Sequence, residues 1–293
     1  MLTRLFKPLF DLKAPFRSGV LWLIWGWLIL LVLLPNLLVI GVSFLERDPQ
    51  DFIRFSVTLD NYRRLFDPLY LGVFLRSLQM AVLATVLCLL IGYPFAWGVS
   101  RVTPRWRPLL MFLLIVPFWT NSLVRTYAIK VLLAGNGLIN SFLIDVGLIS
   151  QPVQLLYTEG AVIIGLIYVL LPFMILPLYS VFEQLREDLL AASADLGASR
   201  WRTFRHVVIP MTMPGVIAGC LLVLLPAMGM FYIADVLGGS RVLLVGNVIK
   251  SQFLDARDWP FGAAASVLLT VAMALLLLAY WQSVRRVRQQ VAL

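Results

Sequence analysis

Six stretches of this chain stay apolar for about twenty residues or more. A hydrocarbon core about 30 Å thick is crossed by about 20 residues of helix. The stretches lie near 19–44, 72–99, 108–128, 159–181, 213–236 and 263–284. Lipid offers no partner to a backbone N–H or C=O, so each stretch must satisfy its own by forming helix. The expected fold is therefore an all-α membrane protein, a single domain over residues 1–293 with six transmembrane helices. Composition agrees: 61% of the 293 residues are hydrophobic and 13% charged, against roughly 45–50% and about 25% in soluble domains. Pro94, Pro117, Pro172, Pro177 and Pro226 fall inside these stretches. Neighbouring helices in a bundle satisfy the carbonyls that proline frees. A seventh apolar run, Leu138 to Ile149, follows Gly135-Asn136-Gly137 and is too short to span. It reads as an interfacial or re-entrant helix.

The first stretch, Gly19 to Phe44, exceeds the about 7–15 residues of a signal-peptide core and has no small-residue cleavage site after it. It reads as a retained anchor. Cys88 and Cys220 both sit in apolar stretches and read as small packing residues rather than a disulfide or metal pair. The net charge of +9 would suit nucleic acid, but the bases flank apolar spans, where they set orientation instead. With the N-terminus inside, the inner segments hold fourteen of the 24 Lys and Arg. They include Arg4, Lys7, Lys13, Arg17, the trio Arg101, Arg105, Arg107 and the trio Arg285, Arg286, Arg288. Five acids share those segments (Asp11, Glu183, Glu187, Asp188, Asp195), so the inner face carries a surplus equal to the whole net charge. The outer loop 45–71 mixes its arginines with Glu46, Asp48, Asp51, Asp60 and Asp67. Both termini inside matches an even number of spans.

Between the fourth and fifth stretches, residues 186–212 form a polar, basic island. Asp188 to Leu196 is rich in helix formers, with small Ala191, Ala192, Ser193 and Ala194. Gly197 is placed to end that helix in a left-handed conformation. Ser199 is placed to cap a second helix, Arg200 to Val208. The expectation is a helix, a turn and a helix lying along the membrane surface. The small side chains would let the first helix sit deep in a partner's groove. Arg200, Arg202 and Arg205 would pair with acids or lipid phosphate. The same spacing also fits an amphipathic helix resting on anionic lipid.

This island resembles the docking loop of membrane subunits of ATP-binding-cassette importers, read as Glu-Ala-Ala, three residues, Gly, nine residues, Ile, one residue, Leu-Pro. Gly197 takes the glycine place, Ala192 and Ser193 the alanine places, and Val207 with Ile209-Pro210 the Ile and Leu-Pro places. Ala191 stands where the family has glutamate, a departure that leaves Asp188 or Asp195 to supply any acidic contact. Other stretches are similar to the spermidine/putrescine importer permeases, and among them to the first of the two permease subunits. They are Pro117-Phe-Trp-Thr-Asn-Ser-Leu-Val-Arg-Thr-Tyr127, Gly137-Leu-Ile-Asn140, Tyr168-Val-Leu-Leu-Pro-Phe173, Pro226-Ala-Met-Gly-Met-Phe-Tyr-Ile-Ala-Asp235 and Asp258-Trp-Pro-Phe-Gly262.

The resemblance implies the type I importer permease fold with a cytoplasmic coupling helix, in a bacterial inner membrane. It implies a second permease subunit, an ATPase dimer that binds ATP and Mg, and a periplasmic polyamine-binding protein. This chain would bind no cofactor or metal and be no enzyme. The docking residues would be Ala191, Ala192, Ser193, Asp195, Gly197, Arg200, Arg202 and Pro210.

A polyamine path needs carboxylates and aromatic faces, since rings attract ammonium groups. Asp235 beside Tyr232, at the expected end of the fifth span, is the first candidate. It also fits an interfacial acid capping the helix end or pairing with Arg241. Trp119 and Tyr168 are further candidates, as is Tyr127. Trp and Tyr equally populate the two membrane interfaces. Glu183, at the inner end of the fourth span, would attract the cation on exit or be a plain interfacial charge. Arg76 and Arg125 would repel a polyamine and are expected to snorkel outward or pair with acids. Loop 237–262, with Asp255 and Asp258, is a candidate contact for the binding protein. The alternative substrates are another small cation, an amino acid or a metal chelate.

Other classes fare worse. The single histidine, His206, lies among arginines of the island, away from any nucleophile a hydrolase would need. An aspartyl protease would need a second carboxylate at depth. An autonomous channel leaves the island unexplained. No Gly-Lys-Ser or Gly-Lys-Thr phosphate loop occurs in the sequence.

Overall fold

The computed structural model describes residues 15–48 and 52–291. Arg4, Lys7, Asp11 and Lys13 lie outside the described residues, as do Asp51 and the side chains of Arg17, Arg285, Arg286 and Arg288. The regular structure of the described chain is helical apart from a short two-stranded ladder. Six helical runs are long and apolar enough to cross a membrane: Gly19–Ser43, Pro68–Arg101, Ser122–Asp145, Glu159–Glu183, Arg200–Gly229 and Trp259–Gln282.

The first run joins α1 (Pro15–Leu28) and α2 (Leu34–Ser43) through one π-turn. Pro35 enters there without the N–H an unbroken ladder needs. None of this run's apolar window is buried within the chain. Next come strands β1 (Leu45–Glu46) and β2 (Arg54–Val57), paired antiparallel, and the short α3 (Asp60–Leu65).

The second run is α4 (Pro68–Arg101), opened by the Asp67 carboxylate accepting from the Leu69 N–H. The third differs from expectation. Residues 108–128 are not one helix: α5 (Arg107–Ile115) runs into a 3₁₀ turn at Val116–Trp119 and stops. Pro117 lacks the donor that would continue the ladder, and Thr120 is extended. Asn121 then caps a new helix, α6 (Ser122–Leu133), by accepting from the Leu123 N–H at 2.8 Å. The spanning run Ser122–Asp145 combines α6 with α7 (Leu138–Asp145), so the expected short helix becomes part of a span. The turn between them is held by buried Asn140. Its amide donates to the carbonyls of Ala134 and Val153 and accepts from the Val153 N–H.

The fourth run is α8 (Glu159–Glu183). After it come α9 (Glu187–Asp195), α10 (Arg200–Thr203), a π-turn over Phe204–Val208 and α11 (Ile209–Gly229). The second helix of the island is thus no separate surface helix; Arg200–Gly229 is one 30-residue run. Pro210 needs no partner at the first turn of α11, and the widened turn before it carries the chain through. The fifth span accordingly ends at Gly229, not 236. Beyond it, α12 (Phe231–Ile233) with its following turns, and α13 (Val245–Leu254), form two arms meeting at 91°. The last helix is α14 (Trp259–Val291).

The described chain divides into two compact units: the part up to Phe66 with Ser251–Leu268, and Asp67–Lys250 with the part from Leu269 on. In the larger, α4, α8 and α11 build the core. Leu166, Leu170, Met174 and Leu178 of α8 are fully buried, with Ala81, Ala84 and Cys88 of α4 and Val223 of α11. Small residues let the backbones approach, the usual solution where lipid supplies no hydrophobic drive between helices. A Cβ at Gly215 would stand 3.0 Å from the Pro177 carbonyl, and one at Gly219 3.1 Å from that of Met174. In the smaller unit, the buried Asn61 amide donates to the carbonyls of Ser43 and Leu45. Arg64 pairs with Asp258 at 2.9 Å and lies over the Phe261 ring at 4.2 Å. Asp258 also accepts from the Phe261 N–H at the start of α14. The Asp258-Trp-Pro-Phe-Gly262 stretch is therefore a structural clasp. Asp258, 1% exposed, is not open to a binding protein, whereas Asp255 is exposed.

Candidate functional site

The island folds from local rules. Gly197 has φ +79 and nothing around it that would exclude a side chain, so conformation alone requires glycine. Its N–H bonds the Ala194 carbonyl at 2.9 Å, and the Ala198 N–H bonds that of Ser193 at 3.0 Å. These two bonds close α9 in a Schellman motif. Ser199 caps α10 through the Arg202 N–H, and the Ser193 and Thr203 hydroxyls join the two helices at 2.7 Å.

The face this presents is bare. Ala191, Ala192, Asp195, Arg200 and Arg202 are exposed, Ser193 and Pro210 half-buried. Leu196 and Trp201, large and apolar, are 89% and 67% exposed at the same tip. Asp188 is engaged with Arg186 at 3.0 Å, and Glu187 lies 3.6 Å from Arg101.

Beneath the face is an aromatic cluster that sequence reading missed. Phe204 meets Tyr93 and Trp97 of α4 edge-on, at 6.1 and 6.5 Å between ring centres. The same two rings pack on Phe182 of α8 at 5.0 and 5.2 Å. The island is thereby wedged against two spans.

The pathway candidates are less gathered than expected. Asp235 does not end a span. It sits in the π-turn Ala234–Gly238, on the first arm of the bent pair. Arg241 is not its partner. Lys250 of α13 is, at 2.6 Å, with both side chains 36% exposed. The buried Asn247 amide donates to the same carboxylate. Lys250 also lies 5.6 Å from the centre of the Phe231 ring. An ammonium group is thus seated between a carboxylate and an aromatic face, with half-buried Tyr232 next to Phe231. Lys250 was detectable in principle as an ionisable residue in an apolar helix. Its pairing was not, because it depends on the bend.

Trp119 is 75% exposed and touches Phe112; no contact joins it to Asp235 among the described residues. Tyr127 is exposed and faces Lys130. Glu183, bonded by the Tyr179 hydroxyl, lies at the other end of α8 from the segment that Ile233 and Leu237 pack against at Gly165. Of the two arginines, Arg76 pairs with Glu159. Arg125 does not pair with an acid among the described residues. It is buried, its Nε has no hydrogen-bond partner, and the rings of Phe118 and Tyr168 lie 4.8 and 5.9 Å from its guanidinium.

The helices of the larger unit thus carry a polar loop projecting from them and a polar break at the bent pair. Residues 88–289 match the model of the family described as binding-protein-dependent transport system inner membrane component, and the chain belongs to that family. It is a multi-pass inner-membrane permease component, not itself an enzyme, of an importer that works with a binding protein. Its relatives are more particular. It is 57% identical to the spermidine/putrescine transport system permease protein PotB of Escherichia coli strain K12, over 92% of this chain and 98% of that one. It is 57% identical to the PotB of Haemophilus influenzae (95% and 97% covered) and 56% to that of Salmonella typhimurium strain SL1344 (95% and 97%). In fold it matches a bacterial ABC transporter that imports the acidic polysaccharide alginate, at a TM-score of 0.73 and 17% identity over 97% of this chain and 98% of that one. It also matches the alginate transporter in complex with a pentasaccharide-bound periplasmic protein, at 0.77 and 16% with the same coverage.

Proposed function

We propose that this chain is the first permease subunit of an ATP-driven polyamine importer, passing spermidine or putrescine from a periplasmic binding protein to the cytoplasm by alternating access. Near full-length identity to permeases of that name carries the reading. The assembly would hold a second permease subunit, two ATPase subunits with ATP and Mg, and the binding protein, with both termini of this chain cytoplasmic.

The exposed face of α9, from Ala191 to Asp195 with Gly197 closing it, would dock on an ATPase subunit. Arg200, Arg202 and Pro210 would support it, and Phe204 would pass its displacement to α4 and α8. The seat of Lys250 on Asp235 and Phe231 suits a primary ammonium. A polyamine end would displace Lys250 and take its place, so entry exchanges one ion pair for another instead of adding a deep trap. Alternating access then follows if nucleotide favours one of two arrangements of the docking face.

The test is ATPase activity of the purified complex in lipid, with and without binding protein loaded with spermidine, beside an Asp235→Asn version. Stimulation that falls in the variant is expected. Unchanged stimulation would make Asp235 structural. Stimulation by another solute and not by spermidine would overturn the substrate.

A further inference from the structure

Among the described residues, the charge of Arg125 has no ion-pair partner. It lines a groove of about 280 Å³ whose other walls are apolar, among them Ile129, Leu132, Ile139 and Ile164. Its side chain is 8% exposed, with Nε unpartnered. No carboxylate among the described residues pairs with it; Glu159 and Asp235 on neighbouring elements pair with Arg76 and Lys250 instead. The ring faces of Phe118 and Tyr168 meet it.

Charge restricts what could complete it. Cationic substrate is repelled. A carboxylate on an adjacent helix would pair with it, and among the described residues of this chain the acids of neighbouring elements are engaged elsewhere, so the complementary charge would come from another chain. Tyr168, whose ring faces it, lies about 13 Å and about 22 Å from the two ends of α8 at 1.5 Å per residue. The groove's rim supports a helix contact: Leu132, Ile139, Ile164 and Tyr168 are 37–48% exposed, an apolar ring around the buried cation.

We infer that the Arg125 groove is part of the contact with the second permease subunit, and that an intramembrane carboxylate of that subunit closes an ion pair with Arg125. The inference rests on the two-permease assembly proposed above. A single charged contact in an apolar surround would set register and partner choice, so that two copies of this chain, both carrying arginine there, would not pair through this face.

The experiment uses this full chain coexpressed with the second permease subunit and the ATPase. Arg125→Met is expected to lower the amount of second subunit retained on a tagged chain at least tenfold, and Arg125→Lys to stay within about threefold of the parent. Normal retention by Arg125→Met overturns the inference. Failure of the parent chain itself to retain a second permease subunit would instead overturn the assembly. Should Arg125→Met not accumulate in the membrane, a second measurement decides. Leu132→Cys, in a Cys220→Ala background, is labelled with a lipid-soluble maleimide in the chain expressed alone and in the complex. Protection of at least fivefold in the complex is expected. Equal labelling would mean that the groove faces lipid, and the inference falls.

Discussion

Single residues in this chain act mainly through charge and backbone conformation. Gly197 at φ +79 holds a conformation that costs other L-residues roughly 1–2 kcal/mol, more for a β-branched one. Gly197→Val is therefore expected to unfasten the end of α9 and lower polyamine uptake at least tenfold. Immunoblots should show unchanged membrane levels, since Gly197 itself lies outside the spanning runs. Normal uptake would remove the docking role. Asp258 makes a second case. Its carboxylate serves Arg64 and the Phe261 N–H while almost wholly buried. Asp258→Ala should destabilise the smaller unit by about 2 kcal/mol, the scale of a lost hydrogen bond to a charged group, read as a lower thermal midpoint in detergent. Gly197 was legible in the sequence because a glycine after a run of helix formers has one common meaning. The pairing of Lys250 was not, because its partner stands fifteen residues back across a bend that hydropathy does not report.

At the scale of elements, apolar length located the spans well and their breaks poorly. The first, second, fourth and sixth runs fall where hydropathy put them. The third shifted because Pro117 and the Asn121 cap divide an otherwise continuous apolar stretch, and hydropathy is blind to both. The fifth shifted because a helix with three arginines, Arg200, Arg202 and Arg205, runs unbroken into an apolar one. Composition marked that junction as a boundary; the backbone does not. What fixes the junction is packing: Phe204, in the π-turn, against Tyr93 and Trp97. Phe204 is half-buried, so Phe204→Ala should cost about 2 kcal/mol, below the 3–5 of a fully buried ring. Its larger expected effect is functional. Hydrolysis stimulated by loaded binding protein should persist while uptake per ATP falls several-fold. A proportional loss of both would mean that the ring only stabilises the fold.

For the whole molecule the number of crossings turns on the bent pair. In the sequence three spanning runs lie between Arg64 and the island, and the run Arg200–Gly229 lies between the island and the bent pair. Arg64 is bonded to Asp258, just beyond the bent pair. Six spans require the pair to enter and leave by one face. Its dimensions agree: arms of eleven and ten residues are about 16 and 15 Å long at 1.5 Å per residue. Meeting near a right angle, they reach about 22 Å from end to end, short of the about 30 Å hydrocarbon core. Within the larger unit, Ile233 and Leu237 of the first arm pack on α8 at Gly165, about 25 Å along that helix from Phe182. The Lys and Arg surplus counted on the island side favours a cytoplasmic island, the orientation proposed above. In intact spheroplasts, a membrane-impermeant maleimide should label cysteines placed at Asp60 and at Asp255, and leave one at Ser199 untouched until the membrane is opened. The background would lack Cys220. Labelling at Asp60 and not at Asp255 would mean that the bent pair crosses, making seven spans and placing the termini on opposite sides. Labelling at Ser199 alone would invert the chain, turning the docking face away from any cytoplasmic ATPase.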